Sequence, residues 1–250
     1  MSVYDEAAYW DLAFRDETVD ELAFINSLAA RESIASLYEP GCGGGRLVIA
    51  AAAAGYRVAA CDLSEPAVRY VRRRLRRRQL DATVDVADMR EYHCGPVDLA
   101  ICPVNTIRHL LTDIDVLTHL RSVAASVRPG GWYAFGLHLL PPDAAEEDGE
   151  RWSVTHGRTK VTVTLRVVDF DRRRRLERLR FSLLVRSGEQ TKRFRSEFVY
   201  RIYTANQLGR LLAKAADWEH VSTHDFWWDL DEPLPLDDER GDTVVLLRRR

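Results

Sequence analysis

The chain has 250 residues, of which 46% are hydrophobic and 30% charged, and it carries a formal net charge of −2. This balance is typical of a folded globular protein and excludes a largely disordered chain. The longest uncharged apolar stretch, residues 47–56, is too short to span a bilayer, and the early acidic residues do not fit a secretory signal. We therefore expect a cytoplasmic protein that does not associate with a membrane.

The first 33 residues have the apolar spacing of amphipathic helices, with Leu22, Ile25 and Leu28 three residues apart. We predict a helix pair here that leads into the fold. No internal repeat or linker interrupts the chain, so we expect one domain over residues 1–250.

From residue 34 to residue 140, strands alternate with helices. Strands are predicted at 36–38, 57–61, 83–86, 97–102 and 132–139, with helices ending at Gly55, beginning after Ser64 and spanning residues 115–127. Such alternation predicts a parallel sheet with helices on both faces.

Residues 72–78 read RRRLRRR, which has two interpretations. A basic run of this kind can mark a nucleic-acid surface. However, Val68, Val71 and Leu75 lie on one helical face, so we favour an amphipathic helix with a solvated basic side and expect no nucleic-acid partner.

The four cysteines, at positions 42, 61, 94 and 102, lack the spacing of a zinc site or of a redox motif. We therefore expect reduced thiols and no bound metal.

The pattern then changes to period two over residues 150–203, which predicts an antiparallel meander of three strands with turns near 169–173 and 187–188. Thr204 and Gln207 form a capping-box pattern that opens a helix to about residue 216. Strands at 220–224 and 243–247 would then complete the main sheet, so residues 204–250 are its C-terminal part.

The clearest chemical signal is the sequence EPGCGGGR at residues 39–46, between a strand and a helix. Open α/β sheets bind ligands at this position, against the N-terminus of a helix. Asp62 follows the next strand, where a carboxylate can accept hydrogen bonds from both hydroxyls of a ribose. Asp88 and Met89 follow the third strand, where an adenine ring can be bound.

Together these motifs, with VDLAIC at 97–102 and VRPGG at 127–131, resemble the ordered motif set of the class I S-adenosylmethionine-dependent methyltransferases of the small-molecule type. The resemblance implies a Rossmann-like three-layer α/β sandwich with a mostly parallel seven-stranded sheet and an antiparallel β meander inserted after strand five. It also implies S-adenosylmethionine as cofactor, S-adenosylhomocysteine as product, and an N-terminal helical lid over residues 1–33 that includes Tyr4, Tyr9 and Arg15. The cofactor-binding residues that it implies are Tyr9, Arg15, Glu39, Gly41, Cys42, Gly43, Gly45, Asp62, Leu63, Asp88, Met89 and Pro103.

The expected reaction is methyl transfer to an oxygen or nitrogen of a small molecule by a monomer or homodimer. The leaving group is a neutral thioether, so a base is needed only if the acceptor must lose a proton. Candidate catalytic groups are His138, Asn105 and His109. Residues 102–105 read CPVN rather than the Asn/Asp-Pro-Pro-Tyr motif of enzymes that methylate nucleic-acid amines.

Two alternatives stay open at this point. The chain can be a non-catalytic S-adenosylmethionine-binding or interaction protein, because no complete acceptor constellation is visible. An NAD(P)-dependent oxidoreductase is less favoured, because Arg46 stands where the third glycine of the dinucleotide fingerprint would be.

Aromatic residues at 226–228 and Trp152 are candidates for the acceptor pocket. They can equally plug the seam between the meander and the main sheet. The acidic residues between positions 229 and 239 are predicted to form a solvated loop rather than a cation site.

Overall fold

The computed structural model describes residues 3–144, 149–239 and 241–250. Residues 1 and 2 of the predicted lid, and residue 240 of the predicted C-terminal part, lie outside the described residues. None of the described helices is long and apolar enough to cross a membrane.

The chain contains six α-helices and eleven strands within these residues. The helices are α1 (Ala7–Ala13), α2 (Thr18–Glu32), α3 (Arg46–Ala53), α4 (Glu65–Arg78), α5 (Asp113–Ser126) and α6 (Ala205–Leu212). The strands are β1 (Ser36–Pro40), β2 (Arg57–Asp62), β3 (Thr83–Val86), β4 (Val97–Cys102), β5 (Val127–His138), β6 (Gly149–His156), β7 (Thr159–Asp171), β8 (Leu176–Ser187), β9 (Gln190–Arg201), β10 (Trp218–His224) and β11 (Asp242–Arg249).

Seven strands form the main sheet in the order β10-β11-β5-β4-β1-β2-β3. β3, β2, β1, β4 and β5 are parallel, whereas β11 runs antiparallel to both β5 and β10. β6 to β9 form a separate antiparallel sheet, here called the second sheet. The predicted α/β fold class, with an antiparallel insertion after strand five, is confirmed.

Several boundaries differ from the predicted ones. β5 begins at Val127, not at residue 132, because the VRPGG segment pairs with β4 around an irregular register. The helix after Thr204 ends at Leu212 rather than near 216. The insertion has four strands rather than the three predicted. The additional strand, β6, was not predicted because it is exposed along most of its length and its alternation of apolar and polar residues is weak.

The N-terminal segment lies against the second sheet. Val3 and Ala13 pack with Val161, Val163 and Phe181 in a cluster separate from the two clusters that flank the main sheet. Trp152 Nε1 also donates a hydrogen bond of 3.1 Å to the carbonyl of Ala13. The N-terminal helices therefore connect the second sheet to the rest of the molecule.

Asp98 holds the central strands in register. One carboxylate oxygen accepts hydrogen bonds from the amides of Ala35 and Ser36, both at 2.9 Å, and from the Ser36 hydroxyl at 2.7 Å. The other oxygen accepts from Arg128 Nε at 2.6 Å. Burial raises the pKa of Asp98, but the hydrogen bonds from Arg128, Ser36 and Ala35 outweigh it and lower the pKa to about 2.

We expect Asp98→Asn to lower the free energy of unfolding at pH 7 by about 1–3 kcal/mol, because four donors lose a charged acceptor. The pKa of Asp98 is depressed in the folded state, so its contribution is complete above the unfolded pKa near 4 and is lost as the pH falls through about 2. The difference in free energy of unfolding between wild type and variant, measured by urea denaturation, should therefore become smaller below pH 4. The matched control is Asp81→Asn, at an exposed position; an equal effect at both positions would contradict the assignment.

Candidate active site

A cavity of about 1320 Å³ opens at the carboxyl ends of β1, β2 and β4. The main sheet forms one side of it, and the N-terminal helices and the second sheet form the other. Pockets for a single small ligand commonly measure roughly 300–1,000 Å³. The cavity is therefore large enough for two ligands to lie side by side.

The glycine loop, residues 41–45, lies at the floor of this cavity. No side chain fits at two of its positions. A Cβ on Gly41 would lie 2.4 Å from Thr106 Cγ2, and one on Gly45 would lie 2.6 Å from Val71 Cγ2. Both glycines also have a φ of +68°, which favours glycine. The loop thus exposes backbone at Gly41 and begins α3 at Gly45.

Asp62 lies at the end of β2, directly beside the glycine loop. Its carboxylate accepts hydrogen bonds of 2.8 Å from the amides of Gly43 and Ser64. Burial raises the pKa of Asp62, and the two backbone hydrogen bonds oppose this rise. A carboxylate has about four acceptor positions, so two remain for a ligand. Ser64 caps α4 as predicted, accepting from the Ala67 amide.

Two apolar side chains lie next to these polar groups. Leu63 lines the cavity and is 71% exposed, whereas Met89 is 8% exposed. The Met89 carbonyl accepts a hydrogen bond of 2.9 Å from His119 Nδ1, and His119 Nε2 lies 2.7 Å from the Tyr133 hydroxyl. Burial lowers the pKa of His119 to about 4, so this neutral imidazole fixes the Met89 loop on the sheet.

Asp88 already has a charged partner. Arg90 Nη2 lies 2.6 Å from its carboxylate, and Arg90 Nη1 lies 2.7 Å from Asp115. The hydrogen bond from the Arg90 side chain lowers the pKa of Asp88. Asp88 lines the cavity as an ionised group whose orientation Arg90 sets.

Glu39 is the one buried carboxylate in the cavity wall with an oxygen, Oε2, that has no hydrogen-bond partner within the described residues. Burial raises the pKa of Glu39 to about 8, although the charge of Arg46 opposes this rise. A buried acceptor without a partner destabilises a protein unless a ligand satisfies it. Glu39 is therefore suited to a cationic ligand group.

His138 and Asp242 form a pair at the other end of the cavity. His138 Nδ1 lies 2.8 Å from the Asp242 carboxylate, because antiparallel pairing sets Asp242 on β11 opposite His138 on β5. The hydrogen bond from His138 lowers the pKa of Asp242. A neutral imidazole that donates from Nδ1 carries its lone pair on Nε2, which is the arrangement of a general base.

Asn105 connects β4 to β5. Its amide donates to the Gly136 carbonyl at 2.9 Å, and its side-chain oxygen accepts from the His138 amide at 2.9 Å. Asn105 has a φ of +52°, a conformation that asparagine tolerates better than most residues. It lines the cavity, but its contacts position His138.

His109 contacts the N-terminal segment. Its Nε2 shares a hydrogen bond of 2.9 Å with the Tyr4 hydroxyl. Burial and the nearby charge of Arg108 lower the pKa of His109 to about 4, so the imidazole is neutral at pH 7. Arg108 pairs with Glu177 of the second sheet, and both side chains are buried. These contacts hold the N-terminal segment and the second sheet over the main sheet.

Most of the predicted site residues line this one cavity: Glu39, Gly41, Cys42, Gly43, Asp62, Leu63, Asp88, Met89, Pro103, Asn105, His109 and His138. Three do not. Gly45 packs on α4, Tyr9 lies 5.8 Å from Phe194 between ring centroids, and Arg15 Nη1 lies 2.6 Å from His156 Nδ1. The geometry gives Tyr9 and Arg15 contacts to the second sheet rather than to the cavity.

Two of the four candidate aromatic residues have the predicted position in the pocket. Trp152 and Phe226 line the cavity, and the Phe226 ring lies 5.0 Å from the His138 ring. Trp228 is buried against Phe24, and Trp227 is 77% exposed.

Sequence reasoning missed several groups that support the site. Arg74, in the basic run of α4, is not simply solvated: it donates to Asp11 at 2.5 Å and to the Gly44 carbonyl at 2.8 Å. Arg46 forms a buried ion pair with Glu21 of α2. The apolar periodicity of the sequence predicted the helices, but it cannot show which side chains of different helices form ion pairs.

A family model described as "Methyltransferase domain" matches residues 38–131. No curated protein matches the chain in sequence. The matched segment contains the glycine loop, Asp62, Asp88 and Met89.

Solved structures match over nearly the whole chain. A S-adenosylmethionine-dependent methyltransferase from Clostridium acetobutylicum matches with a TM-score of 0.76 and 17% identity, over 99% of this chain and 96% of that one. CalS10, an amino pentose methyltransferase from Micromonospora echinaspora, gives 0.72 and 20% over 100% and 98%. The sugar N-methyltransferase KedS8 from a Streptoalloteichus species gives 0.68 and 18% over 92% and 87%.

The predicted resemblance is therefore confirmed. Residues 38–131 match the methyltransferase-domain model, and the chain as a whole has the fold of the class I S-adenosylmethionine-dependent methyltransferases.

Proposed function

We propose that this methyltransferase domain binds S-adenosylmethionine and transfers its methyl group to a nitrogen or oxygen of a small molecule. The observation that carries the proposal is the Asp62 carboxylate beside the exposed backbone of the glycine loop, at the floor of a cavity of about 1320 Å³. This arrangement suits a nucleoside with a charged, flexible tail.

The residues present fit the cofactor. Asp62 would accept hydrogen bonds from the ribose hydroxyls, and Leu63 and Met89 would contact the adenine ring. The glycine loop leaves space for the methionine part, whose ammonium group would satisfy Glu39 Oε2. When bound, the cofactor supplies an electrophilic methyl group on a sulfonium centre.

The chain's own residues then have three tasks. The cavity walls hold the two ligands in line and exclude water. Asp242 orients His138, whose Nε2 accepts the proton that the acceptor nitrogen or oxygen loses. Asn105 positions the His138 backbone through its side-chain oxygen. No acid is needed, because the thioether leaves without charge.

A small-molecule acceptor is supported by two of the similar structures, which are described as an amino pentose methyltransferase and a sugar N-methyltransferase. The CPVN segment after β4 also differs from the motif of nucleic-acid amino methyltransferases. Arg46, which occupies the position of the third dinucleotide glycine, points to Glu21, and this favours a methyl donor over NAD(P).

We expect wild-type protein to bind S-adenosylhomocysteine in isothermal titration calorimetry and to show no binding of NADH. Asp62→Ala should weaken this binding at least about tenfold, because two hydroxyls lose a charged acceptor. Glu65→Gln is the control, since Glu65 lies three residues away with a side chain that is 65% exposed. An unchanged dissociation constant for S-adenosylhomocysteine in Asp62→Ala would contradict the cofactor assignment.

We expect His138→Gln to lower kcat by about 10²–10⁴-fold while leaving the affinity for S-adenosylhomocysteine unchanged, because only proton removal is lost.

His93→Gln, at an exposed position, is the control for this comparison, measured with an acceptor found to turn over in a broad panel. A kcat for His138→Gln equal to that of wild type would contradict the role of His138 as base. Cofactor binding without turnover of any acceptor would favour the non-catalytic binding protein.

A further inference from the structure

The inner face of the second sheet is covered along only part of its length. Val161 and Val163 of β7 are 0% exposed, because the N-terminal segment packs on them. Leu165 and Val167 continue the same face but are half-buried, and both line the cavity. With four other apolar residues of the second sheet that line the cavity, they form the apolar wall, which comprises Trp152, Val154, Leu165, Val167, Phe170 and Leu179.

The charges around the cavity are strongly unbalanced. Ten acidic residues but only three arginines and no lysine are among the described residues that line it. Each arginine has a carboxylate partner: Arg46 pairs with Glu21, Arg90 with Asp88, and Arg108 with Glu177. A phosphate or carboxylate on a ligand would find no unpaired arginine among the described lining residues.

One further arginine lies near the opening. Arg172 lies over the Phe170 ring, 5.0 Å from its centroid, and donates to the carbonyl oxygens of Pro141 and Ala144. Two of its five N–H donors are thus bound to backbone carbonyls. Asp242 holds His138 and interacts electrostatically with Glu17. The surroundings of His138 therefore favour a cationic group over an anionic one.

Building on the proposed function, we infer that the methyl acceptor is an amine carried on an apolar body that bears no phosphate or carboxylate, and that the apolar wall binds this body. The amine enters the acidic region beside His138, and the apolar body covers the half-buried side chains of β7. Burial of each methylene of the ligand on this wall raises the affinity about fourfold. An anionic substituent lowers the affinity, because it faces the carboxylates without a cation to pair with.

The test is calorimetry on protein saturated with S-adenosylhomocysteine, with four probes used below their micelle concentrations. These are octyl β-D-glucosaminide, methyl β-D-glucosaminide, octyl β-D-glucoside and glucosamine 1-phosphate. We expect the octyl glucosaminide to bind at least about tenfold more tightly than its methyl counterpart, because its alkyl chain is buried. It should also bind more tightly than the uncharged octyl glucoside, and glucosamine 1-phosphate should be the weakest.

Two adjacent substitutions locate the binding surface. Val167→Asn should reduce the advantage of the octyl group, whereas Val168→Asn should not, because Val168 is 36% exposed and does not line the cavity. Any one of four results would overturn the inference. These are equal affinities of the octyl and methyl glucosaminides, tightest binding of glucosamine 1-phosphate, absence of octyl glucosaminide binding, and equal effects of the two variants.

The saturation step separates this inference from the proposed function. If S-adenosylhomocysteine does not bind, the proposed function fails. If it binds and alkyl length has no effect, only the assignment of the acceptor class fails.

Discussion

The site depends on one carboxylate that joins two chain segments. Asp62 accepts from the Gly43 amide in the glycine loop and from the Ser64 amide at the start of α4. These two bonds fix the ends of β1 and β2 relative to each other, at the point where parallel strands leave their backbone donors beside a helix N-terminus. The same oxygens face the cavity, so the group that shapes the loop is also a candidate ligand for the nucleoside.

The proposed division of labour follows from this geometry. One half of the cavity is polar, with the glycine loop, Asp62 and Glu39, and the other half is bounded by the apolar wall. His138 lies on β5 between them, and its partner Asp242 comes from β11. In the proposed function, the main sheet would supply both the cofactor surface and the base, whereas the second sheet would shape the acceptor half.

Most of the predicted cofactor residues line the cavity, whereas the sequence says little about the acceptor half, and both outcomes have physical reasons. The bounds of β3 and β4 were predicted correctly because short apolar strands are flanked by polar turns. Asp62 was predicted because its role depends on spacing within one βαβ unit. The His138–Asp242 pair could not be predicted, since it depends on the register between strands 104 residues apart. The apolar wall likewise depends on where α1 stops covering β7.

The N-terminal turn has a consequence for the order of folding. Val3 is completely buried, and its amide donates to the Ser196 hydroxyl across a separation of 193 residues. Such a contact forms only after β9 has been synthesised and paired. The chain must lose the entropy of closing this long loop before the contact contributes any favourable free energy. We expect this segment to dock last and to detach first, since few of its backbone bonds are shared with the main sheet. Its release would uncover the cavity while the seven-stranded sheet stays intact, so access for ligands would be governed by a local unfolding equilibrium.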